Sequence, residues 1–179
     1  MLALALLTLW LDHQVRVEGG EHGSMRRHDP DYVVTHFTTT TYNREGSAET
    51  VLSAAQMQHY PDDDSTEVTA PRVMQAKLAQ PRFTVEAERG KISREGDEIF
   101  LYDHVVLVRE AEADKPVARM TTDFLHILRD RSLVRTDRPV LFEEEGRSLR
   151  GRGMEYRADT RELFLRDDVR ARFEPKKGK

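Results

Sequence analysis

Leu163-Phe164-Leu165-Arg166-Asp167-Asp168-Val169-Arg170-Ala171-Arg172-Phe173 opens on an apolar run and alternates between charged and apolar residues from Asp168 to Phe173. Leu163, Leu165, Val169, Ala171 and Phe173 share one parity and are apolar, while Arg170 and Arg172 fall on the other. Successive side chains of a strand point to opposite faces of a sheet, whereas a helical face returns every 3.6 residues, so this pattern reads as a half-buried β-strand. Phe83, Val85 and Ala87 alternate with Thr84, Glu86 and Glu88 in the same way. Between Glu98 and Val108 apolar residues occupy both parities, as in a strand covered on two sides or bent at a bulge, and alternation does not choose its inner face.

The pattern recurs along the chain. Thr69-Ala70-Pro71-Arg72-Val73, Asp103-His104-Val105-Val106-Leu107, Asp137-Arg138-Pro139-Val140-Leu141 and Asp167-Asp168-Val169-Arg170-Ala171 share a form, and their first residues lie 34, 34 and 30 positions apart. Ile99 and Leu101 are mirrored by Leu163 and Leu165, and Ile92 by Tyr156. A unit of two or three short strands cannot bury an apolar face alone and must stack on its neighbours. From Tyr32 to Phe173 no stretch longer than about ten residues keeps a helical period, while Thr, Val, Tyr and Phe recur. The expectation is an all-β fold: an elongated, partly open, twisted jelly roll of stacked antiparallel strands over residues 32–175, with end strands open to strand addition.

Outside that region the chain changes. Residues 1–11, MLALALLTLWL, are apolar apart from Thr8. Eleven helical residues span about 16 Å, roughly half a hydrocarbon core. A buried helix, a signal-peptide core and the second half of a transmembrane helix that begins upstream all remain open. The last is the expectation, because the segment lacks a basic start and a small-residue cleavage site, and Trp10 sits at its polar end. Residues 12–31, with Gly19, Gly20, Gly23 and Pro30, read as a flexible tether, and 176–179 as a short basic tail.

Composition narrows the chemistry. A net charge of -4, with 34% charged residues of interspersed sign, is not the basic footprint of a nucleic-acid binder. The absence of cysteine excludes disulfides, thiolate catalysis and Cys-based metal sites. No Gly-rich loop ends in Lys-Ser or Lys-Thr, no serine has a nucleophile-elbow context, and no two histidines have a metal-ligand spacing, so neither an enzyme nor a cofactor is expected. Asp62, Asp63 and Asp64 lack the spacing of a calcium loop and read as a solvated turn after Pro61. Arg147, Arg150 and Arg152 among Gly146, Gly151 and Gly153 read as a solvated turn face or, less commonly, a phosphate contact.

Asp31-Tyr32-Val33-Val34, the run Phe37-Thr38-Thr39-Thr40-Thr41-Tyr42, Gly46 leading to Leu52-Ser53-Ala54, and above all His59-Tyr60-Pro61-Asp62-Asp63-Asp64-Ser65-Thr66-Glu67 carry a resemblance. With Leu101-Tyr102-Asp103-His104-Val105, Thr121-Thr122-Asp123 and Leu165-Arg166-Asp167-Asp168-Val169-Arg170, the chain resembles the LptC family in content and order. The resemblance spans roughly residues 1–175; it is specific in the first half and shared with the soluble LptA bridge protein in the second. It implies a single inner-membrane helix before a periplasmic jelly roll. It also implies receipt of lipopolysaccharide from the ATP-driven LptB/LptF/LptG transporter and delivery to LptA. Each exposed methylene of an acyl chain costs about 0.8 kcal/mol in water, so such a carrier needs an apolar trough. The candidate lining is Phe37, Val68, Phe83, Val85, Ile92, Leu101, Leu163, Leu165 and Phe173, any of which could equally form dry core. The candidate partner contacts are Gly46, Gly153, Leu163 and Phe173, with LptA joining through the last strand. The rivals are a structural scaffold of the same fold with no lipid groove and, more remotely, a glycan-processing enzyme, which would need two carboxylates in one cleft.

Overall fold

A computed structural model describes residues 28–75, 82–94, 96–111 and 115–173. The apolar segment 1–11, residues 12–27 of the tether and the tail 176–179 lie outside the described residues. Eleven strands follow one another: β1 (Tyr32–Tyr42), β2 (Ala48–Tyr60), β3 (Ser65–Thr69), β4 (Arg72–Gln75), β5 (Phe83–Glu86), β6 (Arg89–Ile92), β7 (Glu98–Arg109), β8 (Ala118–Leu128), β9 (Leu133–Glu144), β10 (Arg147–Arg157) and β11 (Glu162–Phe173). Among the described residues there is no helix, hence none long and apolar enough to cross a membrane.

Every pairing is antiparallel, and all strands join one sheet. β3 pairs with the end of β2 and β4 with its beginning, so the two act as one interrupted strand. β5 and β6 pair with opposite ends of β7 in the same way. Counted thus, each strand bonds only to its neighbours in the chain, which leaves β1 and β11 as the two free edges. Short connections suffice for such a meander; between β9 and β10 only Glu145 and Gly146 intervene, with Gly146 at a φ of 68°.

The long strands are interrupted part-way along. Positive φ occurs at His36 in β1, at Ala70 between β3 and β4, at Asp103 and His104 in β7, at Gly153 in β10 and at Asp168 in β11. The β8–β9 pairing shifts between Thr121 and His126. These irregularities adjoin across the sheet: Ala70 N donates to Glu88 O at 2.7 Å, and Glu88 N donates to Asp103 O at 3.1 Å. A bulge bends its strand and sharpens its twist, so a row of them creases the sheet and brings its two arms face to face. Residues from both sides of the crease then share one core, formed by Leu101, Val105, Met120, Leu125, Val140 and Met154.

The crease explains the sequence repeat. Thr69, Asp103, Asp137 and Asp167 each lie at or next to it on β3, β7, β9 and β11, every second strand of the meander. One repeat is therefore a hairpin bent in its middle. Burial also settles β7: Ile99, Leu101 and Leu107 belong to the core and Val105 is fully buried, one parity on both sides of the bulge at Asp103–His104, which leaves Phe100, Val106 and Val108 on the other face.

Candidate functional site

Residues directly opposite one another in an antiparallel pair lie on the same face, so the register can be followed from edge to edge. One row runs Leu163–Tyr156–Val134–Ile127–Ile99–Ile92–Thr66. The next contains Leu165–Met154–Thr136 on one side and Leu125–Leu101–Gly90–Val68–Met57–Val34 on the other. Beyond the crease run Ala171–Leu149–Phe142–Met120–Leu107–Val85–Val73–Leu52 and, nearer the strand ends, Phe173–Arg147–Glu144–Ala118–Arg109–Phe83. Phe37 faces Ala54, two residues along β2 from Leu52. All nine residues proposed to line a trough therefore lie on the inner face.

Their surroundings differ sharply. Val68 and Leu101 are buried, and the neighbouring Val105 and Leu125 are 0% exposed, so the middle of the interior is filled by the protein itself. Phe37, Phe83, Val85, Ile92 and Leu165 are half-buried. Leu163 is 42% and Phe173 71% exposed, on the free edge strand β11. Tyr32, Val33, Val34 and Tyr42 are exposed on the opposite edge, β1. The inner face is thus closed at its centre and presents apolar side chains at its rims. Exposed apolar side chains beside unpaired backbone donors and acceptors are what strand addition uses.

The two glycines expected at partner contacts are placed differently. Gly46 lies in the β1–β2 turn at a φ of 79°, where a Cβ would meet nothing within 4 Å. Gly153 lies at the crease of β10 at a φ of 73°, and a Cβ would stand 3.3 Å from Arg166 Cβ of β11. Sequence reasoning missed Gly151, where a Cβ would press on Leu165 Cδ1 at 3.2 Å; the close packing of β11 over β10 depends on it. The only signal was a glycine on alternate positions of an otherwise ordinary strand.

The segment Pro61–Asp64 is the solvated turn expected of it, and its three carboxylates are all paired. Asp62 pairs with His28 at 3.0 Å, Asp63 with Lys91 of β6 at 3.0 Å, and Asp64 with both His59 at 2.9 Å and Arg94 at 3.0 Å. The other ring nitrogen of His59 reaches Asp31 at 2.8 Å, and Tyr32 stacks on the ring. A neutral imidazole has one N–H, whereas two carboxylates can only accept, so this geometry calls for the doubly protonated ring. Hydrogen bonding to Asp31, then to Asp64, accordingly raises the His59 pKa above its ordinary value. Hydrogen bonds from Ser65 and Lys91 hold the Asp63 carboxyl down at about 2, and His28 and His59 lower Asp62 and Asp64 respectively. The turn is a charged clasp that ties β2 and β6 to the start of β1. His28, Asp62 and Asp63 also bring ligand atoms within 4.8 Å of one another, close enough for a cation, but Asp63 is already paired with Lys91 and Asp62 with His28 itself.

Carboxylates elsewhere also pair on the surface, as in Arg72–Glu86, Arg89–Asp103 and Glu155 with Arg157 and Arg166. Such exposed pairs are each worth little, but they account for the outward parity of the acidic residues.

The profile of the family described as "Lipopolysaccharide-assembly, LptC-related" matches residues 1–174. The lipopolysaccharide export system protein LptC of Escherichia coli K12 is 27% identical over 124 residues, covering 69% of this chain and 64% of that protein. The protein of the same description from Shigella flexneri aligns with the same identity and coverage. The chain thus spans just under two thirds of the length of the curated relatives it matches. Among solved structures, the crystal structure of LptH from Pseudomonas aeruginosa is similar, with a TM-score of 0.52 at 10% identity, covering 85% of this chain and 100% of that one. It is described as the LptA-homologous periplasmic component of the lipopolysaccharide transport device, and the likeness is one of fold.

Proposed function

The chain belongs to the LptC-related lipopolysaccharide-assembly family, and from that premise we propose that it is a non-catalytic carrier in lipopolysaccharide transport. In this reading residues 1–11 belong to an inner-membrane anchor, 12–31 form the tether and 32–175 are a periplasmic domain, its creased sheet a partly open jelly roll. The domain accepts lipopolysaccharide from the ATP-driven LptB/LptF/LptG transporter and hands it to LptA, whose edge strand joins β11. The observation that carries the reading is the inner face, apolar from β11 to β2 along the row Ala171 to Leu52 and exposed at Leu163 and Phe173. Acyl chains would be covered along those rims while the anionic head group stays in water.

The packed centre, with Val105 and Leu125 inaccessible to solvent, favours the scaffold reading for the middle of the domain. The two readings separate in cells. A photo-crosslinking residue placed at Phe37, Val68, Leu163 or Phe173, with outward Glu88 as control, should give lipopolysaccharide adducts at the rim sites, dependent on cellular ATP and absent at Glu88. No adduct at any inner-face site would leave the scaffold and refute transfer.

A further inference from the structure

Resting on the reading of β11 as the edge that accepts a partner strand, we propose that the strand it accepts is acidic. It would carry carboxylates on the face that continues the outer side of the sheet and apolar side chains on the face that continues the inner side. The inner residues Leu163, Val169 and Phe173 are 42%, 52% and 71% exposed and ask for apolar neighbours. Beyond the bulge at Asp168 the outer residues are Arg170 and Arg172, with no carboxylate between Val169 and Phe173; the carboxylates of the strand, Glu162, Asp167 and Asp168, lie at or before the bulge.

Within the sheet this charge is incompletely answered. Arg166 reaches Glu155 at 3.3 Å. Arg170 stands directly opposite Arg150 of β10, and among the described residues neither belongs to an ion pair. Like charges directly opposite one another destabilise a sheet, so the pair carries a cost here that no ion pair of Arg150 or Arg170 among the described residues offsets. A carboxylate on the next strand outward would lie beside Arg170 on its open side and offset that cost. The alternation runs unbroken from Val169 to Phe173, beyond the positive-φ bulge at Asp168, so this half of the strand is where a partner's register would be read.

A second copy of the chain is a poorer match. Its β1, Tyr32–Tyr42, has no carboxylate at all, and its β11 brings as many arginines as carboxylates, with none of the carboxylates on the alternating half from Val169 to Phe173. A different protein with an alternating apolar and acidic strand satisfies both faces.

The test uses the full chain and two fluorescent seven-residue peptides that alternate Val with Glu or Val with Lys, followed by anisotropy at low and high salt. The net charge of -4 would by itself favour the lysine peptide. The expected result is binding of the glutamate peptide at least tenfold tighter, weakened by salt, with the preference reversed in Arg150→Glu/Arg170→Glu and reduced in Arg170→Gln, which is included in case the double variant fails to fold. Equal affinity for both peptides, or a preference unchanged in Arg170→Gln, would overturn the acidic-strand proposal and leave β11 as an edge of another specificity. Failure of either peptide to bind would remove both the proposal and the edge reading beneath it. Self-association that Arg170→Gln abolishes would make the occupant a second copy, and would overturn the proposal as well.

Discussion

Replacing Leu125 by alanine tests whether the inner face is a packed core or an open trough at its centre. Leu125 is fully buried, sits opposite Leu101 on β7, and belongs to a cluster contributed by β7, β8, β9 and β10. Truncating a leucine so enclosed removes the transfer energy of its lost carbons and leaves a cavity that neighbours from both arms of the sheet cannot all collapse to fill. The expected loss is about 3 kcal/mol, within the range measured for buried leucines. For a chain of this size that corresponds to a fall in melting temperature of about 6–12 °C. Urea unfolding followed by far-ultraviolet circular dichroism would give the free-energy change, and differential scanning calorimetry the melting temperature. A loss below about 1 kcal/mol would mean that the side chain has few partners to lose, and would refute the inference that the middle of the interior is filled by the protein.

Phe173→Ala, at a side chain 71% exposed, should change stability by less than about 0.5 kcal/mol while reducing lipopolysaccharide crosslinking at Leu163, so unfolding curves and adduct yields should diverge. Gly153→Ala combines a φ of 73° with a Cβ only 3.3 Å from Arg166 and should destabilise by about 1–2 kcal/mol, more than Gly46→Ala, where the space is open; chemical denaturation of the two variants decides the order. The clasp predicts a stability maximum in mildly acidic solution. The raised pKa of His59 means its contribution is complete below the ordinary histidine value of about 6.5 and is lost as pH rises through the raised value. The lowered pKa of Asp63 means its contribution is present above about 4 and is lost as pH falls toward 2. Urea midpoints from pH 3 to 9 should fall on both sides, and His59→Gln should flatten the alkaline side and the share of the acid side set by Asp64, leaving the fall set by Asp63; parallel profiles for the two proteins would sink the account.

Parity was legible in the sequence because it is local: a strand turns alternate side chains to alternate faces wherever it lies, so Phe83 and Val85, or Leu163, Leu165 and Phe173, could be placed on one side without knowing their neighbours. The all-β class and the recurrence of Asp103, Asp137 and Asp167 came from the same short-range information, although only the bent sheet showed that the recurrence marks a crease. Depth in the fold is not local. Val68 and Phe173 both lie on the inner face, yet one is 4% and the other 71% exposed, because the first has strands bonded on both sides and the second stands on an edge. The inner face of β7 waited on the packing, because both parities carry apolar residues and only burial picks out Ile99, Leu101, Val105 and Leu107. The partners of Asp62, Asp63 and Asp64 come from as far along the chain as His28 and Arg94, and only the meander brings them to one end of the sheet. What each residue is suited to touch was written in the chain; which of them meet, and which are left facing solvent, was decided by the order in which the strands pair, because burial depends on neighbours distant in sequence.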